Sequence, residues 1–115
     1  MPDLESMAAS VGALLKQHRH TVAVSESSCG GLISASLVTV PGASDYYVGG
    51  AVVYTRTAQQ GLLGVPDLAM AEIRASTESY ALLNARTIRE YLGTTWALSE
   101  TGASGPTGNR YGDAA

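Results

Sequence analysis

Several residue types that would define a class of protein are scarce in this sequence. Its 115 residues include a single cysteine, Cys29, no phenylalanine, and no apolar run long enough to span a membrane. One cysteine excludes an intramolecular disulfide framework and a cysteine-based zinc site. The seven basic residues are scattered, so no basic stripe favours nucleic-acid binding. No histidine or carboxylate cluster suggests a metal. We therefore expect no metal or other cofactor, no nucleic-acid partner and no membrane partner.

The composition is that of a folded protein. Hydrophobic residues make up 45% of the chain, charged residues 15%, and the formal net charge is −3. This is too apolar and too weakly charged for a disordered chain. The length fits one domain with one core. No secretory signal is visible at the N-terminus, so we expect a cytoplasmic protein.

Hydrophobic periodicity predicts alternating helices and strands. The predicted helices cover 3–19, 31–40, 57–63 and 78–92, and the predicted strands cover 21–24, 48–54 and 95–99. In the first helix one apolar stripe is expected to face the core: Leu4, Met7, Val11, Leu14 and Leu15. Trp96, in the last predicted strand, is also expected in the core. This order predicts an α/β domain with an at least partly parallel sheet.

Two loops follow predicted strands and are rich in small residues: 25–31 and 101–108. Ligands of open α/β sheets collect at the carboxyl ends of strands. A serine at a strand-to-helix turn exposes its Oγ, glycines allow close approach, and free N–H groups bind an anion or an oxyanion. The alternative is that the first loop is only a helix cap. Neither loop matches a P-loop or a G-x-G-x-x-G fingerprint.

Residues 26–33, Glu-Ser-Ser-Cys-Gly-Gly-Leu-Ile, resemble the E-S-[CS]-T-G-G signature of the CinA C-terminal domain family. Members are nicotinamide-nucleotide amidohydrolases (NMN deamidases), also described as competence/damage-inducible proteins. The likeness continues, in order, through 40–47, 49–54, 62–65 and 101–106. It implies one domain over 1–115 with a three-layer α/β/α architecture and a mixed β-sheet.

The resemblance also implies an activity. Family members hydrolyse the carboxamide of nicotinamide mononucleotide, a small-molecule nucleotide, to nicotinate mononucleotide and ammonia, in pyridine-nucleotide salvage. The family's nucleophilic serine falls on Ser27, which would form an acyl-enzyme, and Thr101 would contact the substrate or the catalytic hydroxyl. The N–H groups of Gly30 and Gly31 would be oxyanion donors. The resemblance further implies a homo-oligomer and these substrate-binding residues: Glu26, Gly30, Gly31, Tyr54, Gly102 and Gly105.

One departure from the family pattern concerns the general base. The family's lysine aligns with Gln59, whose amide cannot accept the serine proton near neutral pH. The only lysine in the chain is Lys16, on the first predicted helix. Two alternatives follow. The chain is a catalytically impaired homologue that binds nucleotides or regulates, or it is an amidase of altered substrate that uses Glu26, Tyr54 or water as the base.

Three further points concern the rest of the alignment. Cys29 stands where the family has threonine, and we expect a small buried thiol. Arg110 either meets a substrate phosphate or is a solvated loop residue. Family domains continue beyond the last block, whereas this sequence ends at Ala115. We therefore expect a truncated domain, with either more chain in the native protein or a partner covering an exposed edge.

Overall fold

The computed structural model describes residues 3–103. Seven regular elements follow one another, within a few residues of their predicted positions: α1 (Leu4–His18), β1 (Val22–Glu26), α2 (Leu32–Val38), β2 (Tyr47–Val52), α3 (Arg56–Leu63), α4 (Glu78–Leu92) and β3 (Trp96–Ser99). Short 3-10 turns lie at Ala43–Asp45 and Asp67–Met70. No helix in this part of the chain is long and apolar enough to cross a membrane.

The three strands form one sheet in the order β2-β1-β3. Both neighbours pair with β1 in parallel, which confirms the α/β class. The resemblance had led us to expect a mixed sheet, whereas all strands between residues 3 and 103 are parallel. The central strand β1 is buried at each of its five positions, as in parallel sheets covered on both faces.

Helices cover both faces of β1. Val22 and Val24 pack in one apolar cluster with α1 and α2, whereas Ala23 packs in another with Leu63 of α3 and Ile88 of α4. Successive residues of a strand point to opposite faces, so the two clusters lie on opposite sides of the sheet. This is the three-layer arrangement that the sequence predicted.

The buried face of α1 differs from the prediction. Ala8, Gly12 and Leu15 are buried, while four members of the predicted stripe are exposed: Leu4, Met7, Val11 and Leu14. The reason is Tyr46, which is fully buried and donates its hydroxyl to the Leu37 carbonyl at 2.7 Å. A Cβ at Gly12 would lie 2.9 Å from the Tyr46 hydroxyl. The small residues of α1 therefore face the core because they leave room for this ring.

The expectation that Trp96 is a core residue was wrong. Its side chain is 57% exposed, and Leu98 on the same face of β3 is 44% exposed. Both are register partners of buried β1 residues, Val22 and Val24. The helices that cover these valines leave the neighbouring edge strand open. The Trp96 indole N–H instead donates to His20 Nδ1 at 3.0 Å.

Parallel pairing brings the carboxyl ends of the strands to one edge. The Glu100 N–H donates to the Ser25 carbonyl at 2.9 Å, and the Val53 N–H donates to the Glu26 carbonyl at 2.7 Å. The segments that follow β1, β2 and β3 therefore leave the sheet side by side. This edge holds the loop after β1 and residues 101–103 of the loop after β3, the two loops that the sequence singled out.

Candidate active site

Ser27 is the first residue after β1 and lies in a tight turn. Its side chain is only 7% exposed. The turn is closed by a hydrogen bond from the Gly30 N–H to the Ser27 carbonyl at 3.0 Å. Gly30 and Gly31 have φ values of +65° and +104°, which glycine adopts without the steric cost of a Cβ. The glycines of this block therefore shape the turn that carries the candidate nucleophile.

Glu26 supports the other side of this turn. It is fully buried, and its carboxylate accepts N–H groups from Gly31 at 3.2 Å, Ile33 at 2.9 Å and Ser34 at 2.8 Å. These donors include first-turn N–H groups of α2, which have no partner within the helix. The structure therefore favours a capping role for Glu26 over the predicted contact with substrate or a role as general base.

Glu100 is a residue of this site that the sequence analysis missed. Its Oε1 accepts the N–H groups of Ser27 at 2.8 Å and Cys29 at 3.0 Å, and its Oε2 accepts the Ser28 hydroxyl at 2.5 Å. These partners are 71 to 73 residues away in the chain, so no local motif contains them. The available signal was a carboxylate directly between β3 and the Thr101 block.

Hydrogen bonding and desolvation at the turn shift the pKa values of Glu100 and Cys29 in opposite directions. Partial burial acts to raise the pKa of Glu100, but the hydrogen bonds donated by Ser28, Ser27 and Cys29 outweigh it and lower that pKa. Desolvation, followed by the negative charge of Glu100, raises the pKa of the Cys29 thiol. Cys29 is exposed, which corrects the expectation of a buried thiol. Its raised pKa makes it a poor nucleophile.

The described start of the second loop, residues 101–103, lies against the first loop. Gly102 lies so close to Ser28 that a Cβ on it would be 3.0 Å from Ser28 Oγ. Thr101 precedes it and is partly buried. Of the other residues predicted for this loop, Gly105 and Arg110 lie outside the described residues.

The predicted oxyanion donors are already engaged within the chain. The Gly30 N–H donates to the Ser27 carbonyl and the Gly31 N–H donates to Glu26. In contrast, the Ser28 N–H has no hydrogen-bond acceptor within residues 3–103. In α/β-hydrolases the residue after the nucleophilic serine supplies an oxyanion donor. Of the N–H groups in this turn, that of Ser28 is therefore the one left open to a ligand by residues 3–103, whereas those of Gly30 and Gly31 are engaged.

Gln59, at the position of the family lysine, is fully buried on α3. Its Nε2 donates to Asn84 Oδ1 on α4 at 2.7 Å, and its Oε1 accepts from Arg56 at 3.2 Å. These contacts fix the amide between two helices. Tyr54, the other residue predicted beyond β2, is 62% exposed.

Two buried hydroxyls add polar character to this end of the sheet. Ser25 and Ser99 are register partners on β1 and β3. The Oγ atoms of both are buried and have no hydrogen-bond partner in the described part of the chain. They lie on the face of the sheet that carries α3 and α4, because Ala23 and Ala97, two residues earlier, pack in that cluster.

The geometry also places three residues of metal-ligating types together. Ligand atoms of Glu26, Cys29 and Glu100 lie within 4.8 Å of one another. Each of the two carboxylates already accepts three hydrogen bonds, from the turn and from the start of α2. The carboxylates therefore serve as acceptors for these segments, and this group gives no support to a cation site.

Comparison with known proteins agrees with this architecture. The CinA C-terminal domain family matches residues 4–115. A CinA-like protein of Salinibacter ruber is 43% identical over 103 residues, which cover 90% of this chain and 25% of that protein. A CinA-like protein of Myxococcus xanthus is 42% identical over 106 residues, which cover 92% of this chain and 25% of that protein. The chain thus spans about a quarter of the length of these curated relatives.

A solved structure shows the same fold. The competence-damaged protein (CinA) superfamily protein from Enterobacter cloacae superposes with a TM-score of 0.90 at 25% identity, covering 100% of this chain and 68% of that one. The chain therefore belongs to the CinA C-terminal domain family.

Proposed function

We propose that this chain is the amidohydrolase portion of a nicotinamide-nucleotide deamidase, with Ser27 as the nucleophile. The observation that carries the proposal is the position of Ser27. It lies at the carboxyl edge of a parallel sheet, in a turn held by hydrogen bonds on both sides, next to the Thr101–Gly102 segment. The substrate class comes from the family resemblance alone.

The proposed reaction has two steps. Ser27 Oγ attacks the carboxamide carbon of nicotinamide mononucleotide, the serine proton passes to the leaving nitrogen, and ammonia departs from an acyl-enzyme. Water then cleaves the ester and releases nicotinate mononucleotide. The Ser28 N–H is the backbone donor available to the oxyanion. Thr101, beside the turn, would contact the substrate or the Ser27 hydroxyl.

A second candidate function rests on Gln59. A carboxamide is not a base near neutral pH, and Gln59 is held by Asn84 and Arg56. A lysine at this position would be desolvated and close to a guanidinium, and both effects would lower its pKa toward that of a useful base. The alternative is therefore a nucleotide-binding homologue that has lost its base.

The experiment measures ammonia release from nicotinamide mononucleotide by four proteins: wild type, Ser27→Ala, Ser10→Ala and Gln59→Lys. If the chain is an amidohydrolase, Ser27→Ala lowers turnover by roughly a thousandfold or more. Ser10→Ala, at an exposed serine on α1, is the matched control and retains turnover. Release by Gln59→Lys alone would support the impaired homologue. No release by wild type or by Gln59→Lys would overturn the amidohydrolase assignment.

A further inference from the structure

The Glu100 carboxylate is shared among three consecutive residues of the turn that carries Ser27. Oε1 accepts two main-chain N–H groups and Oε2 accepts the Ser28 hydroxyl. The backbone of Glu100 is itself anchored, because its N–H donates to the Ser25 carbonyl of β1. The side chain thus joins the end of β3 to the segment that leaves β1.

We propose that Glu100 is a positioning residue that fixes the main chain of Ser27. Its effect on turnover rests on the proposed function, whereas its effect on the geometry of the turn does not. Without Glu100 the N–H groups of Ser27 and Cys29 have no other acceptor among the described residues. The turn is a strand-to-helix connection with two left-handed glycines. The Gly30 N–H closes the turn from within by donating to the Ser27 carbonyl, whereas the N–H groups of Ser27 and Cys29 are held from outside the turn by Glu100.

The two carboxylates at this edge of the sheet accept different N–H groups. Glu26 receives N–H groups of Gly31, Ile33 and Ser34 and fixes the start of α2. Glu100 receives the N–H groups nearer to Ser27. Hydrogen bonds to an ionised acceptor are roughly twice as strong as neutral ones. Loss of Glu100 should therefore loosen residues 27–29 and leave α2 in place.

An alternative role for Glu100 is that of a general base acting on Ser28, since Ser28 Oγ lies 2.5 Å from Oε2. A glutamine at position 100 keeps an oxygen that accepts the two main-chain N–H groups but cannot take up a proton. Glu100→Gln therefore separates a base for Ser28 from a support for the turn.

The first test is amide hydrogen exchange at Ser27 and Cys29 in wild type, Glu100→Ala, Glu100→Gln and Glu90→Ala. Glu90 is an exposed carboxylate on α4 and serves as the matched control. In Glu100→Ala both amides should exchange on the order of ten- to a hundredfold faster. In Glu100→Gln the side-chain oxygen still accepts both N–H groups and the amide nitrogen can donate to Ser28, so exchange should rise less than about threefold.

The outcomes of this test are distinct and do not require activity. Unchanged exchange at Ser27 and Cys29 in Glu100→Ala would overturn the proposal. Exchange in Glu100→Gln as fast as in Glu100→Ala would also overturn it, because hydrogen-bond geometry would then not be what holds the turn. If Glu100→Ala fails to fold, Glu100→Met takes its place, because methionine keeps the length of the side chain but has no carboxylate oxygen to accept the two N–H groups; the same rise is expected and unchanged exchange would overturn the proposal.

The second test measures turnover of nicotinamide mononucleotide. Glu100→Ala should lower kcat at least tenfold with KM little changed, because the nucleophile is displaced while the rest of the site is intact. Glu100→Gln should restore most of kcat, and the control Glu90→Ala should retain it. Turnover in Glu100→Gln as low as in Glu100→Ala would overturn the positioning role in favour of a base, because glutamine accepts the N–H groups but cannot take up a proton. Absence of turnover in wild type would overturn the proposed function, whereas the exchange data would still test Glu100.

Discussion

At the scale of single residues, two carboxylates hold the main chain around Ser27, and only one of them could be predicted from the sequence. Glu26 belongs to the signature block and could be predicted to lie beside Ser27. The contact of Glu100 with Ser27 could not be predicted, because the partners of Glu100 are more than 70 residues away in the chain. The exposed thiol of Cys29 was missed for a similar reason. Its neighbours are known only once β3 is placed beside β1.

The lowered pKa of Glu100 predicts how stability depends on pH. An acid whose pKa is lower in the folded state stabilises the fold above its unfolded pKa, about 4.3 for glutamate, and loses this contribution as the pH falls through the folded pKa. Wild type should be more stable than Glu100→Gln by on the order of 1 kcal/mol at pH 7. The difference should stay constant down to about pH 5.5 and shrink below about pH 4.5.

Urea unfolding of both proteins between pH 7 and pH 3 would measure this difference. Carboxyl groups far from the turn contribute equally in the two proteins; one example is Asp3, whose pKa is lowered by the Ser6 N–H at the start of α1. Their contributions cancel in the comparison. A difference that grew as the pH fell would contradict the assignment of Glu100 as an ionised acceptor.

At the scale of elements, polar contacts join α3 to α4 inside an otherwise apolar layer. The buried amides of Gln59 and Asn84 are hydrogen-bonded at 2.7 Å, and Gln59 also contacts Arg56. The helix positions could be predicted from periodicity and from capping residues: Thr55 caps α3 and Thr77 caps α4 through their side chains. The pairing of the two amides could not, since it depends on how the helices pack.

Removing one amide of this pair should lower the free energy of unfolding more than removing both. Asn84→Ala leaves the Gln59 donor without its 2.7 Å acceptor and should destabilise the fold by roughly 2–3 kcal/mol. The double variant Gln59→Met/Asn84→Leu replaces both amides by apolar groups and should be less destabilised than Asn84→Ala. Denaturant midpoints would measure this, with Glu90→Ala on the exposed face of α4 as the control. A double variant less stable than Asn84→Ala would show that the hydrogen bond is a net stabilising contact.

At the scale of the whole molecule, much apolar surface lies outside the two core clusters. On β3, Trp96 and Leu98 are 57% and 44% exposed, and a stripe along α1 is exposed as well. Exposed apolar surface of this kind marks sites of association. The sequence analysis predicted a homo-oligomer from the family resemblance, and we propose that the open face of β3 takes part in self-association.

This proposal predicts the behaviour of a surface variant. Trp96→Ser/Leu98→Thr should change the free energy of unfolding by less than about 0.5 kcal/mol per site, because both side chains are largely exposed. Its apparent mass at high protein concentration should fall relative to wild type, as measured by light scattering after size-exclusion chromatography. Leu82→Ser, at an exposed leucine on α4, is the matched control. Equal apparent masses for wild type and the β3 variant would exclude the open face of β3 as a site of self-association.

The sequence by itself determined the order of helices and strands, the α/β class and the family, because these follow from local periodicity, capping residues and motif blocks. The tertiary structure decided which face of α1 is buried, that Trp96 is exposed and that Glu100 holds the Ser27 turn. Each of these depends on contacts between residues far apart in the chain: the Tyr46 ring against Gly12, the uncovered edge of β3, and the parallel pairing that brings residue 100 beside residue 27. Hydrophobic periodicity within one element carries no information about such neighbours.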